Sequence, residues 1–158
     1  MAGIKKTNAM RMLEKDGIEH SVLEYEFDEN DLDGHHVADF LNLPYEEVFK
    51  TLVAKGDNGE YLVFCLSVDD EVDLKKAASL AGLKRVEMIH VKDLLAVTGY
   101  IRGGCSPIGM KKHFPTFIHE TAPALEKIFV SAGKVGYQIE LDAKDLISIA
   151  QCTAADLC

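Results

Sequence analysis

Residues 48–68 read VFKTLVAKGDNGEYLVFCLSV. Val48–Lys55 and Glu60–Val68 are both rich in β-formers. Between them Gly56-Asp57-Asn58-Gly59 carries an Asn-Gly step that tolerates positive φ, so the stretch predicts a tight β-hairpin. The second arm, Tyr61-Leu62-Val63-Phe64-Cys65-Leu66, is apolar on both faces and reads as a central strand covered on each side, which places the core here. Upstream, Thr7 caps a short helix with apolar positions at helical spacing, and Gly17 stops it. Ser21–Phe27 alternates with period two and reads as a half-buried strand, with Leu23, Tyr25 and Phe27 on one face. After the acidic turn Asp28–Gly34, residues 35–43 form a second helix, ended by Pro44.

Downstream, Asp73 caps a helix with Gly82 beyond its end, and a short strand follows near Arg85–Met88. Val91–Val97 reads as a brief helix, Thr116–His119 and Lys127–Val130 as strands, and Gln138–Leu141 as a strand pairing back across Ser131–Gly136. A last helix covers Ala143–Ala150 behind Asp142. Helices that alternate irregularly with hairpins predict a mixed α/β fold of the α+β kind, a mixed sheet with helices packed around it, rather than a parallel doubly wound one. With no internal repeat or linker, residues 1–158 are expected to form one domain.

The chain has 158 residues, 47% hydrophobic and 27% charged, and its 17 Lys+Arg against 26 Asp+Glu leave a net charge of −9. A chain of this length hides roughly two-thirds of its unfolded surface, enough for a core without disulfides or structural metal. No stretch approaches the roughly 20 apolar residues of a spanning helix, and Lys5, Lys6, Arg11 and Lys15 stand where a signal peptide would carry its apolar run. Cys65, Cys105, Cys152 and Cys158 are too far apart for a Cys-x-x-Cys pair, so free thiols in a reducing cytoplasm are expected. Tight autonomous binding of nucleic acid needs a basic field, which this acidic chain lacks overall; its local basic clusters are Lys5–Lys6, Lys84–Arg85 and Lys111–Lys112–His113.

Lys50 is out of place in a strand with two apolar faces. A buried amine survives either because it serves an anionic or carbonyl ligand or because it snorkels past a sheet edge to water. The span Gly99-Tyr100-Ile101-Arg102-Gly103-Gly104-Cys105-Ser106-Pro107-Ile108-Gly109 is too rich in glycine for helix or strand. It either converges backbone N–H groups on an anion or simply makes two tight turns. It matches neither a P-loop nor a dinucleotide fingerprint. Ser131-Ala132-Gly133-Lys134 places a hydroxyl at a strand end, where turn chemistry accounts for most such segments. Cys105 beside Ser106 is either a thiol nucleophile with a histidine base or, as is commoner, a small apolar filler. His35 and His36 point in different directions on one helix and make a poor metal pair. No hydrolase signature is present.

Taken together, Phe49-Lys50-Thr51-Leu52-Val53, Asp73-Leu74-Lys75-Lys76-Ala77-Ala78, Thr98-Gly99-Tyr100 through Gly103-Gly104-Cys105-Ser106-Pro107-Ile108-Gly109 with Lys111-Lys112, and Val130-Ser131-Ala132-Gly133-Lys134 resemble the YbaK family. These are freestanding relatives of the editing domain of bacterial prolyl-tRNA synthetases. The resemblance spans nearly the whole chain in order. It implies a mixed, mostly antiparallel curved sheet surrounded by helices, and an enzyme that clears cysteine from Cys-tRNA(Pro) without cofactor or metal. It makes Lys50 the essential residue beside the aminoacyl ester. Around it the resemblance sets Tyr25, Thr51, Gly103, Gly104, Ser106, Ser131 and Gln138 as the substrate-binding set. The family mechanism lets the substrate thiol attack the ester, which needs a snug pocket, orientation and N–H donors rather than a protein nucleophile.

Two positions depart from the family pattern. Asp33 stands before Gly34 where relatives carry an aromatic residue, and Gln138 stands where some carry an acidic one; a changed pocket size is the expected consequence. The implied partners are misacylated tRNA and prolyl-tRNA synthetase, with no membrane, and weak binding of bare tRNA. A deacylase for Ala-tRNA(Pro), a non-catalytic tRNA- or synthetase-binding module, and a thiol-redox role for Cys105 are the competing readings.

Overall fold

The computed structural model describes residues 5–158; residues 1–4 of the basic start lie outside it. In chain order the elements are α1 (Asn8–Lys15), β1 (His20–Glu24), α2 (Gly34–Leu41), β2 (Phe49–Gly56), β3 (Tyr61–Ser67), α3 (Leu74–Leu80), β4 (Val86–Met88), α4 (Val91–Thr98), β5 (Thr116–His119), β6 (Lys127–Ser131), β7 (Tyr137–Asp142), α5 (Ala143–Ile149) and β8 (Cys152–Ala155). The helix starts follow their caps: Thr7 accepts from Met10 N, and the carboxylates of Asp33, Asp73 and Asp142 accept from the first-turn amides of α2, α3 and α5.

The mixed, mostly antiparallel α/β architecture is borne out, with the strands divided between two sheets. One is three-stranded and antiparallel, ordered β1-β7-β6; the other is five-stranded, ordered β4-β2-β3-β5-β8, with parallel pairs β3–β5 and β5–β8. A single parallel bridge, Val48 to Phe129, joins them. The 48–68 hairpin forms as expected and β3 is central and buried along almost its whole length. Its turn differs in detail. Of the Asn-Gly step only Gly59 takes positive φ, and Gly56 N donates to Glu60 O, giving a loop of the three residues Asp57, Asn58 and Gly59.

Two readings need correction. The first strand stops at Glu24 rather than Phe27: Tyr25 N donates to Gly136 O outside the ladder, and Phe27 turns out to solvent, 46% exposed. The strand β8 was not foreseen, because Cys152-Thr153-Ala154-Ala155 has no alternation and becomes a strand only by lying beside β5. The main core gathers Leu13, Val63, Ile108, Ile118, Ile139 and Leu146, so that α1, the glycine-rich loop and both sheets share it. Among the described residues no helix is long and apolar enough to cross a membrane.

Candidate functional site

Where the two sheets part, β2 leaves β6 after the Val48 bridge and gains β4 only at Ala54–Gly56. The gap is a cavity of about 270 Å³, lined by Phe49–Val53, by Leu32, Gly34 and Val37 around the start of α2, by Met88–Val91 and Leu94, by Arg102, Gly103 and Cys105, and by Ser131 and Gln138. Its size falls just under the range of about 300–1,000 Å³ usual for drug-sized ligands, so it suits a small organic group.

The edge of β2 gives this gap its polarity. Along β2 the even-numbered residues bond to β3, as Val48 O accepting Val68 N and Gly56 N donating to Glu60 O show. The odd-numbered ones therefore point their amides the other way, and Val53 O accordingly accepts Ile89 N at 3.1 Å. Thr51 lies between the two flanking contacts, with its N–H and C=O directed into the gap. Among the described residues no turn, loop or cap hydrogen bond uses them.

Lys50 is half-buried and lines the cavity, and its Nζ donates to the Asp70 carbonyl. The amine is thus tethered to the main chain just past β3 instead of running free to solvent. Opposite, Gln138 is 5% exposed and its Oε1 is buried with no hydrogen-bond partner. Tyr25, buried just past β1, lies outside the lining and stands behind Gln138. Burial pushes its phenol up, and the Gly136 backbone and the Gln138 amide draw it partly back. Ser131 lines the cavity from the end of β6, its Oγ accepting Gly133 N at 3.2 Å. The hydroxyl of Thr51 lies 4.0 Å from Cys65 Sγ.

The glycine-rich loop forms neither helix nor strand, and only part of it reaches the cavity. Gly103 has φ +82°, and a Cβ there would stand 3.3 Å from Leu32 Cβ and Val135 Cγ2 at the cavity rim. Gly104 does not line the cavity. A Cβ on it would meet Val135 N at 3.0 Å, so the glycine lets this loop lie against the turn that follows Ser131. Ser106 is fully buried outside the lining, and its Oγ accepts Ile108 N at 3.2 Å. Tyr100 Oη donates to Ile108 O at 2.7 Å and closes the loop on itself.

Asp33 does not shape the cavity wall. Its carboxylate caps α2 by accepting His35 N at 3.1 Å, and its neighbours Leu32 and Gly34 face the gap. Gly34 is required by close approach, since a Cβ there would fall 2.3 Å from Val68 Cγ1. Cys105 lines the cavity, but burial pushes its thiol up to about 12, the Thr98 hydroxyl partly opposing, which keeps the sulfur protonated and weakly nucleophilic at neutral pH. His35 and His36 diverge as expected: His35 bridges Asp33 and Asp69, while His36 Nε2 meets Glu26 O. Two sets of possible metal ligands, Asp70–His119–Cys158 and His119–Glu120–Asp156, lie away from the cavity, and His119 Nδ1 already accepts Leu157 N at 3.1 Å. Sequence reasoning did not find Leu32, Val37, Arg102 or the Asp70 tether. Only the recurrence of apolar residues in α2 hinted at Val37.

Several known proteins share this sequence and shape. EbsC of Enterococcus faecalis, by name a candidate Cys-tRNA(Pro)/Cys-tRNA(Cys) deacylase, is 46% identical over 153 residues, covering 97% of this chain and 93% of EbsC. The proline–tRNA ligase of Thermosipho africanus is 29% identical over 99 residues, 63% of this chain but 18% of that enzyme. A solved structure of a candidate trans-editing enzyme for prolyl-tRNA synthetase superposes with a TM-score of 0.84 at 22% identity, covering 98% of both chains, which bears out the fold. Residues 33–149, which include the whole span from α2 to α5 and nearly every residue around the cavity, match the aminoacyl-tRNA editing domain. The resemblance read from the motifs is borne out, and the chain belongs to the aminoacyl-tRNA editing domain family.

Proposed function

We propose that this protein is a trans-editing deacylase that releases cysteine from mischarged Cys-tRNA(Pro). The observation that carries the reading is a small cavity lined together by Lys50, Thr51, Ser131 and Gln138, with largely apolar walls and a Cys105 thiol that burial holds protonated. Such a site can orient an aminoacyl ester and polarise its carbonyl, but it cannot itself attack. In the proposed step the substrate Sγ attacks its own ester carbonyl carbon. The C–S bond forms, the bond to the ribose oxygen breaks, and the thiol proton ends on that oxygen, leaving tRNA and cysteine thiolactone. Nζ of Lys50 and the Thr51 N–H supply hydrogen bonds to the developing oxyanion, a contribution worth about 10²–10³ in rate for a single donor elsewhere. The high thiol pKa of Cys105 argues against a protein-cysteine mechanism.

The partners are proposed from kinship with the editing region of proline–tRNA ligases, and the charge is consistent with a need for one. With a net charge of −9 the chain gains little from counterion release, so prolyl-tRNA synthetase is the proposed presenter of the acceptor end. The name of EbsC and its extensive identity support the cysteine substrate.

The test is release of amino acid from cysteinyl-tRNA(Pro) and alanyl-tRNA(Pro) by wild type and by Lys50→Ala. Clearance of cysteine alone, reduced at least about 100-fold in the variant with its melting temperature preserved, is the expected result. Equal clearance of alanine would replace the thiol mechanism with water attack, and no release from either ester would leave a binding module.

A further inference from the structure

Two segments that line the cavity differ in charge. Residues 28–47, which contribute Leu32, Gly34 and Val37, hold seven Asp or Glu and no Lys or Arg. Residues 84–113, which contribute Met88–Val91, Leu94 and Arg102, hold six Lys or Arg against two Asp or Glu, a local net charge of +4 in a chain of −9. A polyanion whose end enters the cavity is repelled by the first segment and drawn over the second, since charges at a mouth act over a Debye length of about 8–10 Å.

The basic segment also borders a second cavity, of about 510 Å³. It shares Met88, Ile89 and His90 with the first, so the end of β4 and the two residues after it form a wall common to both. The rest of its lining sets the Tyr61 ring among side chains of both signs, Lys55 and Arg85 with Asp57, Glu87 and Asp93. Phe114 packs edge-on against that ring at 5.7 Å, and Lys55 Nζ lies 5.6 Å from its centre. Among the described residues none of these five charged groups forms an ion pair, although all five line one cavity. A bare phosphate fits poorly beside three carboxylates. A nucleobase fits well: it stacks on an aromatic ring, and its edge offers N–H donors to carboxylates and acceptors to Lys and Arg.

We infer that the nucleotide chain of the substrate leaves the first cavity across the end of β4, over the basic segment, and that the base of the nucleotide preceding the esterified one sits in the second cavity. This rests on the deacylase reading above and adds to it a nucleotide subsite and a direction for the RNA. A single-stranded 3′ end suits such a site because its bases are free to turn out of the stack. The acidic total keeps affinity low, while the unequal segments fix which way the RNA lies.

The experiment compares cysteinyl-tRNA(Pro) with the same molecule made abasic at the nucleotide before its terminal adenosine, prepared by ligating a cysteinylated dinucleotide to the shortened tRNA. The two substrates share ester and charge. Wild type is expected to show a kcat/KM about tenfold lower on the abasic substrate, within the range that stacking of one base supplies. Arg85→Ala should narrow that ratio at least about threefold, and Tyr61→Leu should bring it close to one. The Arg85 side chain is exposed and outside any ion pair, so its removal keeps the fold and decides the matter if Tyr61→Leu does not fold. A purely structural Tyr61 would change stability or both rates together, but not their ratio. On the intact substrate the double variant Lys84→Glu, Lys92→Glu should raise KM about fivefold or more at about 50 mM salt and less at about 200 mM, and Glu46→Lys, Glu47→Lys should move it less. Equal kcat/KM on both substrates in wild type, a ratio unmoved by Arg85→Ala, or a larger effect from the glutamate pair than from the lysine pair overturns the inference. A wild type that releases no cysteine from the intact substrate removes the deacylase reading and this inference with it, whereas release without regard to the base removes only the inference.

Discussion

The glycine-rich loop of residues 99–109 and the wall formed by β2 and β7 both bring polar groups into the protein interior, and they use them in opposite ways. In the loop the polar groups serve one another: Ser106 Oγ accepts Ile108 N, Tyr100 Oη donates to Ile108 O, and Thr98 Oγ1 accepts Tyr100 N. On the wall Gln138 Oε1 is buried without a partner, and no turn or loop bond uses the Thr51 main chain. A polar group satisfied inside its own segment is scaffold, whereas a buried one without a partner calls for an explanation of its own. The contrast separates residues that a motif groups together, because Ser106 and Gln138 both belong to the expected substrate-binding set and only Gln138 faces the gap.

The largest expected effect that would sharpen this contrast concerns Cys105, the one loop thiol that reaches the wall. With burial pushing it up to about 12, it should react with iodoacetamide at pH 8 at least about 100-fold more slowly than free cysteine. Labelling followed by peptide mass mapping measures this, and rapid modification would restore Cys105 as a candidate nucleophile. Next comes Tyr100→Phe, which leaves the Ile108 carbonyl unpaired in the interior. The cost is about 1–3 kcal/mol, with a fall in melting temperature of about 2–4 °C for each kcal/mol. Ser106→Ala should lose about 1 kcal/mol by the same route while the KM of the folded protein stays at the wild-type level. A raised KM with unchanged stability would move Ser106 from scaffold to wall.

The smallest effect tests what holds the wall in register. His35 donates to Asp69 and Asp33, and these hydrogen bonds, that to Asp69 first, raise it above its ordinary 6.5. A histidine raised in the folded state contributes stability that is complete below its unfolded value and is lost as pH rises through the folded one. His35→Gln should therefore lower the melting temperature by about 1–2 °C at pH 5.5 and leave it unchanged at pH 9. The pair matters to the site because Asp69 adjoins Asp70, whose carbonyl holds Lys50. A variant equally destabilised at both values would show that His35 acts through packing against Tyr45, whose ring lies 4.9 Å away.

Much of this molecule is readable from local pattern. Thr7, Asp73 and Asp142 announce their helices, because a short polar side chain before an apolar repeat satisfies amides that the helix cannot. Lys50 is conspicuous for the same kind of reason, being a charge where both faces are apolar. Patterns of this sort fail where a residue's role depends on a distant neighbour. Phe27 continues the alternation of β1 yet is exposed, since Gly136 takes the amide of Tyr25 and ends the ladder. Asp33 was read by its place beside Gly34 as part of the pocket, but its carboxylate is occupied in capping α2.

The sequence by itself determines the 48–68 hairpin, the capped helices, the family and the lysine at its centre, because each depends on residues close in the chain or on motifs that survive in order. Only the tertiary structure decides that the strands divide into two sheets, that their parting at β2 leaves a cavity, and that Gln138 lines that cavity while Ser106 does not. The strands that frame the gap are separated by tens of residues, so its lining is settled by how β2, β4 and β6 meet in space. No local period in the sequence encodes that meeting.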